Sequence, residues 1–367
     1  MNLKPIALAL GATLVSPAAM ADVDLAGKAV QIYGKLHASI DSYDRGAATA
    51  AIAEPGGIEV ASNSSRLGFK GEKELGNGLS GVWKLESTID VSGESGTLSS
   101  RNRYVGLGGS WGNLLVGIRD TPFKDLGGDY TLFGDTVGDY RALLGSVSAA
   151  GSDKEFTLRA QNMVQYDLKS GGFSAALLYS ADPENKNSPD GGNGVAGQFK
   201  NTAAGVALGY AIGGLNVGAA WEKHTNIDAA DGKSAKGVRV GVKYKLSALQ
   251  LGGIYEKLSD DGYGAAIDRS AYGLNAAYRI GEFMLAAQYL KAAESKLAGG
   301  GDGATQYTVG GYYNLAKEMQ LYLAYAALKN DPNASFQLAR DGHGTAFAPT
   351  QAGETVSAIS VGGSYSF

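Results

Sequence analysis

The residues able to do bond-making chemistry are few and poorly placed for it. The chain has three histidines and no cysteine, so thiolate nucleophiles, disulfides and Cys-ligated metals are excluded. His37 alternates in phase with Lys35 in a strand-like stretch, while His224 and His343 sit in stretches that read as loops. No phosphate-cradling glycine loop or paired-histidine zinc motif occurs, and a serine hydrolase built into a membrane wall would need a base beside its serine. We therefore expect no enzyme, no cofactor and no metal. What the charged residues can do is line a surface. In 237–246, Val238, Val240, Val242, Tyr244 and Leu246 alternate with Gly237, Arg239, Gly241, Lys243 and Lys245. A strand sends such residues to opposite faces, so one face is apolar and the other basic or small. A second group stands out in 120–151, where Asp125, Asp129, Asp135 and Asp139 are interleaved with Phe123, Tyr130, Phe133 and Tyr140. An external loop needs fewer apolar residues, so this segment is expected to pack against a wall.

The elements that position these charges are strands. Alternation recurs in 269–280 and again at the C-terminus, where Ile359, Val361, Tyr365 and Phe367 oppose Ser360, Ser364 and Ser366. Sixteen such stretches can be counted, from one beginning near Val30 to one beginning near Thr355. Many run longer than the five or six residues usual in soluble sheets, as a tilted membrane-crossing strand must. Their connections alternate between short turns, such as Gly213-Gly214 and Gly281-Glu282, and long polar stretches at 44–64, 181–200, 223–234, 259–267, 292–304 and 329–354. Short turns at one end and long loops at the other mark an outer-membrane barrel. Gly 55, Tyr 20 and Pro 8 suit a closed sheet, and about sixteen strands leave a water-filled lumen. The expected fold is all-β: a transmembrane antiparallel β-barrel of 16 strands.

Residues 1–21 read as a cleaved signal peptide. Lys4 precedes an apolar run from Ile6 to Val15, and Ala19-Met20-Ala21 is a small-x-small cleavage site. The run is too short to span a bilayer, so the barrel is expected to occupy 22–367. Losing Lys4 takes the formal charge from −4 to about −5, which argues against nucleic acid as a partner.

Several stretches resemble the general porins of Gram-negative bacteria, the β-proteobacterial branch above all. They are Ile32-Tyr33-Gly34-Lys35, the run Ser65 to Glu72 with Leu75-Gly76-Asn77-Gly78-Leu79, Arg103 to Leu107, and Thr121-Pro122-Phe123 with Leu126-Gly127-Gly128 and Phe133-Gly134-Asp135. The resemblance implies a homotrimeric outer-membrane channel for small hydrophilic solutes and ions, surrounded by lipid and lipopolysaccharide, with its third loop folded into the lumen. It assigns Lys35, Arg66, Arg101 and Arg159 to a basic ladder at the constriction, and Asp129 and Asp135 to the facing loop. Lys84, Arg103, Arg119 and Arg141 are further basic candidates. The terminal Tyr365-Ser366-Phe367 resembles the signal read by the barrel-assembly machinery. The sequence departs from the enterobacterial pattern at Thr131-Leu132, where the family carries Pro-Glu before Phe-Gly, so one acid is missing and the balance leans weakly to anions. A substrate-specific porin for organic acids, phosphate or sugars stays open as an alternative, as does an outer-membrane hydrolase or adhesin barrel.

Overall fold

The computed structural model describes residues 23–367 apart from 94–97, 147–155, 185–200, 227–232, 261–267 and 297–298; the candidate leader 1–21 and its cleavage site lie outside the described residues. Seventeen strands follow a two-residue strand at Val23–Asp24. They are β1 (Gln31–Asp44), β2 (Gly56–Ser62), β3 (Arg66–Gly76), β4 (Leu79–Thr88), β5 (Ser100–Gly109) and β6 (Gly112–Asp120), then, after helix α1 (Pro122–Asp129), β7 (Arg159–Ser170) and β8 (Phe173–Ser180). The second half is β9 (Thr202–Ile212), β10 (Leu215–Thr225), β11 (Ser234–Leu246), β12 (Leu249–Asp260), β13 (Arg269–Ile280), β14 (Phe283–Ala292), β15 (Ala304–Asn314), β16 (Met319–Asn330) and β17 (Thr355–Ser366).

Apart from β2 and β3, each strand pairs antiparallel with the next, and β17 returns to β1 with Ser357 opposite Asp44 and Ser366 opposite Lys35. The sheet therefore closes on itself. β2 and β3 share one position in the wall, since β2 pairs with the upper part of β1 and β3 with its lower part. The result is a closed barrel of sixteen staves. The break falls at Ser64, whose φ is 52°. There the hydroxyl of Ser65 accepts from the His37 N–H at 2.8 Å and donates to its carbonyl at 2.9 Å, bridging the interrupted ladder.

The sequence reading of 44–64 as a loop is corrected by β2. Its Ile58 and Val60 alternate with Glu59 and Ala61, but Ala-, Gly- and Pro-rich residues crowd the run and hide its period. His224 lies on β10 rather than in a loop, and its ring Nε2 stands 2.7 Å from the Glu222 carboxylate, which accepts from it. The stretch 329–354 is not simply external either. Phe336, Leu338 and Phe347 are buried, and Phe347 stacks on Tyr43 of β1 at 4.6 Å.

Burial is inverted relative to a soluble sheet. Val238, Val240, Val242 and Tyr244 of β11 are exposed, while Arg239 and Lys243 between them are buried. Aromatic residues gather at two levels of the outer face. Trp221, Tyr255, Tyr272, Tyr307 and Tyr325 lie toward the long-loop end; Tyr210, Tyr244, Tyr278, Tyr313 and Tyr365 lie toward the turns. Amphipathic rings at both boundaries of an apolar band are what a bilayer selects. At the turns, Gly213 and Gly281 adopt φ of 56° and 59°, a left-handed backbone that closes a two-residue hairpin and that a side chain disfavours.

Because the outer face meets lipid, Val242→Arg is expected to destabilise the folded barrel by about 2–4 kcal/mol at mid-bilayer depth. Leu246→Arg, near the turn end, should cost clearly less. Reversible denaturant titration in lipid vesicles measures both, and equal losses would contradict the assigned depth.

Candidate pore constriction

The segment after β6 is built to cross the barrel interior. Thr121 caps α1 by accepting from the Lys124 N–H at 3.3 Å, and Pro122 opens the helix where its missing N–H is harmless. Inward side chains of the far wall then hold the segment at successive points. Arg239 donates to the Phe123 carbonyl at 2.6 Å, stacks its guanidinium over the Phe123 ring and pairs with Glu256. Lys243 donates to the Asp129 carbonyl at 2.8 Å, Asn275 to the Tyr130 carbonyl at 2.8 Å, and Gln288 accepts from the Leu132 N–H at 2.7 Å. The Tyr130 hydroxyl bonds to Asn216. Gly241 supplies the room for its ring, since a Cβ there would overlap it.

From this anchorage the chain turns toward β1 and β3. Phe133 and Asp135 take φ of 61° and 59°, a strained conformation for residues with side chains. The bend is locked by Asp139, which is buried, accepts from the Asp135 N–H at 2.7 Å and binds Arg141 through both carboxylate oxygens. It sets the Asp135 carboxylate 3.6 Å from Lys35, 3.9 Å from Arg66 and 3.0 Å from Arg141. Lys35, Arg66 and Asp135 are each about a fifth exposed, so this cluster faces open lumen rather than packed protein. Burial works against ionisation of Asp135, but the charges of Lys35, Arg141 and Arg66 outweigh it and hold the carboxyl well below the usual carboxylate range.

The structure brings together Lys35, Arg66 and Asp135, with Arg141 on the same carboxylate, and gives Arg101, Arg159 and Asp129 other partners. Arg101 pairs with Glu86 at 2.7 Å, and Arg159 pairs with Asp120 at 3.1 Å beside Lys124. Asp129 lies at the other end of the segment beside Lys243; burial pushes its carboxyl up to about 6, with the Lys243 charge opposing. Asp125, one turn earlier, is pushed up to about 8 by burial and then by the charge of Asp120. Arg141 belongs to the segment itself and Arg119 pairs with Asp167 at 2.5 Å. Arg103 follows a ladder irregularity and pairs in register with outward Leu85, bonding to the Glu86 carbonyl at 3.3 Å.

Sequence reasoning missed Glu86. It is 4% exposed and receives Arg101, Lys84 at 3.2 Å and the Tyr33 hydroxyl at 2.8 Å. The available signal was its spacing of two from Lys84, which puts both on one strand face. Arg239 and Lys243, on the basic face of their strand, do point inward, but α1 and Tyr130 cover them.

Comparison with known proteins fits this geometry. The family described as Gram-negative porin matches residues 7–333. Outer membrane porin protein 32 of Delftia acidovorans is 28% identical over 324 residues, which is 83% of this chain and 85% of that protein. The major outer membrane protein P.IB of Neisseria meningitidis serogroup B is 29% identical over 234 residues; the match takes in 62% of this chain and spans 61% of that relative's length. The solved anion-selective porin from Comamonas acidovorans superposes with a TM-score of 0.77 at 24% identity, covering 92% of this chain and 99% of that one.

Two outcomes follow for ion flow through this site. Asp135→Asn removes the carboxylate shared by three cations and should shift the reversal potential in a salt gradient toward anions. Asp129, with its raised carboxyl, is neutral below about pH 6 and negative above it. The reversal potential should therefore move toward cations as pH rises from 5 to 7, and Asp129→Asn should flatten that part of the profile. A pH profile unaltered by Asp129→Asn would remove Asp129 from the ion path.

Proposed function

This chain belongs to the Gram-negative porin family, and on that premise we propose that it forms a water-filled outer-membrane channel through which small hydrophilic solutes and ions diffuse passively, with a preference for anions. The observation that carries the preference is the charge around Asp135. Lys35, Arg66 and Arg141 converge on that single carboxylate, and Lys84 and Arg101 share Glu86. Counting Asp139, which also binds Arg141, five basic side chains meet three acidic ones here, which supports a positive field at this point. Low-dielectric walls focus such a field on whatever passes. A permeating anion replaces part of its lost hydration with guanidinium and ammonium groups, while a cation meets repulsion. The pairs also keep the basic side chains from being bound tightly by a single passing anion, and conduction needs weak, sequential contacts. The solved Comamonas protein of similar fold is named an anion-selective porin, which supports the same reading.

Under this proposal the precursor is cleaved after Ala21 and the mature chain assembles as a homotrimer. Tyr365 and Phe367 serve as the assembly signal. The location of Phe367 supports that role: its N–H and carbonyl exchange hydrogen bonds with Gly34 at 3.0 and 2.7 Å, at the seam where the last strand meets the first.

Single-channel recording in a planar bilayer tests the selectivity. The wild type should conduct with an anionic reversal potential, and Arg66→Ser with Arg101→Ser should move it toward cations. The shift should shrink in 1 M salt, where the screening length falls to about 3 Å. A strongly cation-selective wild type would overturn the assignment.

A further inference from the structure

A second recess lies inside the barrel, behind α1, and none of Lys35, Arg66 and Asp135 lines it. It is a cavity of about 170 Å³ between α1 and the inner face of the wall from β7 to β11, with room for several heavy atoms rather than for one water. Side-chain size explains it. Ser174, Gly209 and Gly218 stand opposite one another along one level of the wall, and Ala176 and Ala207 along the next. Small inward residues in register leave a gap that α1 does not fill.

Three polar side chains of this cavity lack partners among the described residues. Gln165 on β7 is 1% exposed. Its Nε2 donates to Asp167 at 2.7 Å, which fixes the amide and leaves Oε1 without a hydrogen bond. Asp125 on α1 has no ion pair or side-chain hydrogen bond. Burial, and then the charge of Asp120, push its carboxyl up to about 8, the state of an acid without a close counter-ion. Arg119 also lines the cavity, but it is paired with Asp167, and Lys243 donates to the Asp129 carbonyl. The third group is Lys169. It is exposed, in the same inward phase as Gln165, and directly opposite Ser174.

These groups divide by kind. Asp125 and the Gln165 oxygen accept, so they call for a donor that carries positive charge. Lys169 and Ser174 donate, so they call for an anion. Gln165 and Lys169 are four residues apart on one strand, about 13 Å between Cα atoms at about 3.3 Å per residue. Even with the lysine stem reaching back, the two charges of a ligand must be several bonds apart. Between them the lining is apolar, with Leu126, Ala176 and Ala207. We propose that this recess binds a short ω-amino acid, with its ammonium between Asp125 and Gln165, its methylenes on the alanines and its carboxylate at Lys169 and Ser174. The inference rests on the channel reading above, since the ligand reaches the recess through the lumen.

The test uses the full mature protein refolded in detergent micelles, with 5-aminopentanoate as the probe and calorimetry as the readout. Pentanoate, pentylammonium and 2-aminopentanoate are the comparisons: the first two lack one charge, and the third has both charges at one end. The wild type should bind 5-aminopentanoate about tenfold or more tightly than each, as expected when one charge-assisted hydrogen bond is lost. Asp125→Asn should erase the advantage over pentanoate, and Lys169→Gln the advantage over pentylammonium. Lys169 is exposed, so its variant keeps the test decisive if Asp125→Asn does not fold. Asp135→Asn, at the constriction, should leave the binding in place. Equal affinity for all four compounds, no binding by the wild type, preferences unchanged in the Asp125 and Lys169 variants, or loss in Asp135→Asn would each overturn the proposal. A barrel that conducts but does not bind the probe leaves the channel reading standing, and one that binds it without conducting overturns that reading instead.

Discussion

Everything in this barrel depends on one requirement: no backbone amide or carbonyl in the apolar layer can be left unpaired. In lipid each such group costs several kcal/mol, and an open sheet would present a whole row of them along each edge. The pairing of β17 with β1 removes both rows at once. Even the interruption at Asn63–Ser65 is bridged, with the Asn63 N–H donating to the His37 carbonyl at 2.8 Å and the Ser65 hydroxyl covering the next step. Closure in turn fixes the alternation. One face of every strand must be apolar, and the other is released to carry charge.

That released face is not simply wet. The interior contains ion pairs and hydrogen-bonded amides because charges inside a low-dielectric wall are costly unless paired. Two uses of charge can be distinguished. Arg239 with Glu256 is fully covered and holds the Phe123 carbonyl, so it acts as a fixing post for α1. Lys35 and Arg66 with Asp135 remain partly open, at longer separations of 3.6 and 3.9 Å, where a solute can compete for them. The first kind gives the crossing segment its rigidity, and the second gives the lumen its sign.

A second segment narrows the same space. His343 and Asp41 are both fully buried and 2.8 Å apart, and the Gly344 N–H donates to Asn63 at 3.0 Å. Arg340 reaches Ser146 at 3.0 Å. The last long connection is thereby tied to β1, to the break in the second stave and to the segment that follows α1. Rigid docking of two connections on one wall means that the lumen's shape is set by side-chain pairing rather than by the strands alone.

The periodic features of this protein were legible in its sequence. Alternation such as Val238–Leu246 is strictly local, and a period of two has one meaning once a closed sheet is required, so the stave count and the outward set could be read directly. The crowding of acids and aromatics in 120–151 likewise announced a packed segment. The missed strand at Gly56–Ser62 shows the limit of local reading: its period is too short to stand out from the Gly- and Ala-rich residues around it, and only pairing with β1 makes it a strand. Partner choice inside the barrel depends on tertiary structure in the same way. Asp129 and Asp135 are alike in sequence, yet Asp135 meets Lys35 and Arg66 while Asp129 lies beside Lys243. Arg101 and Arg66 are alike too, but a buried Glu86 takes the former. A strand's sequence determines which face a charge is on. Which charge stands across from it depends on the path of a loop through the lumen, and that path is set by contacts with residues a hundred or more positions away.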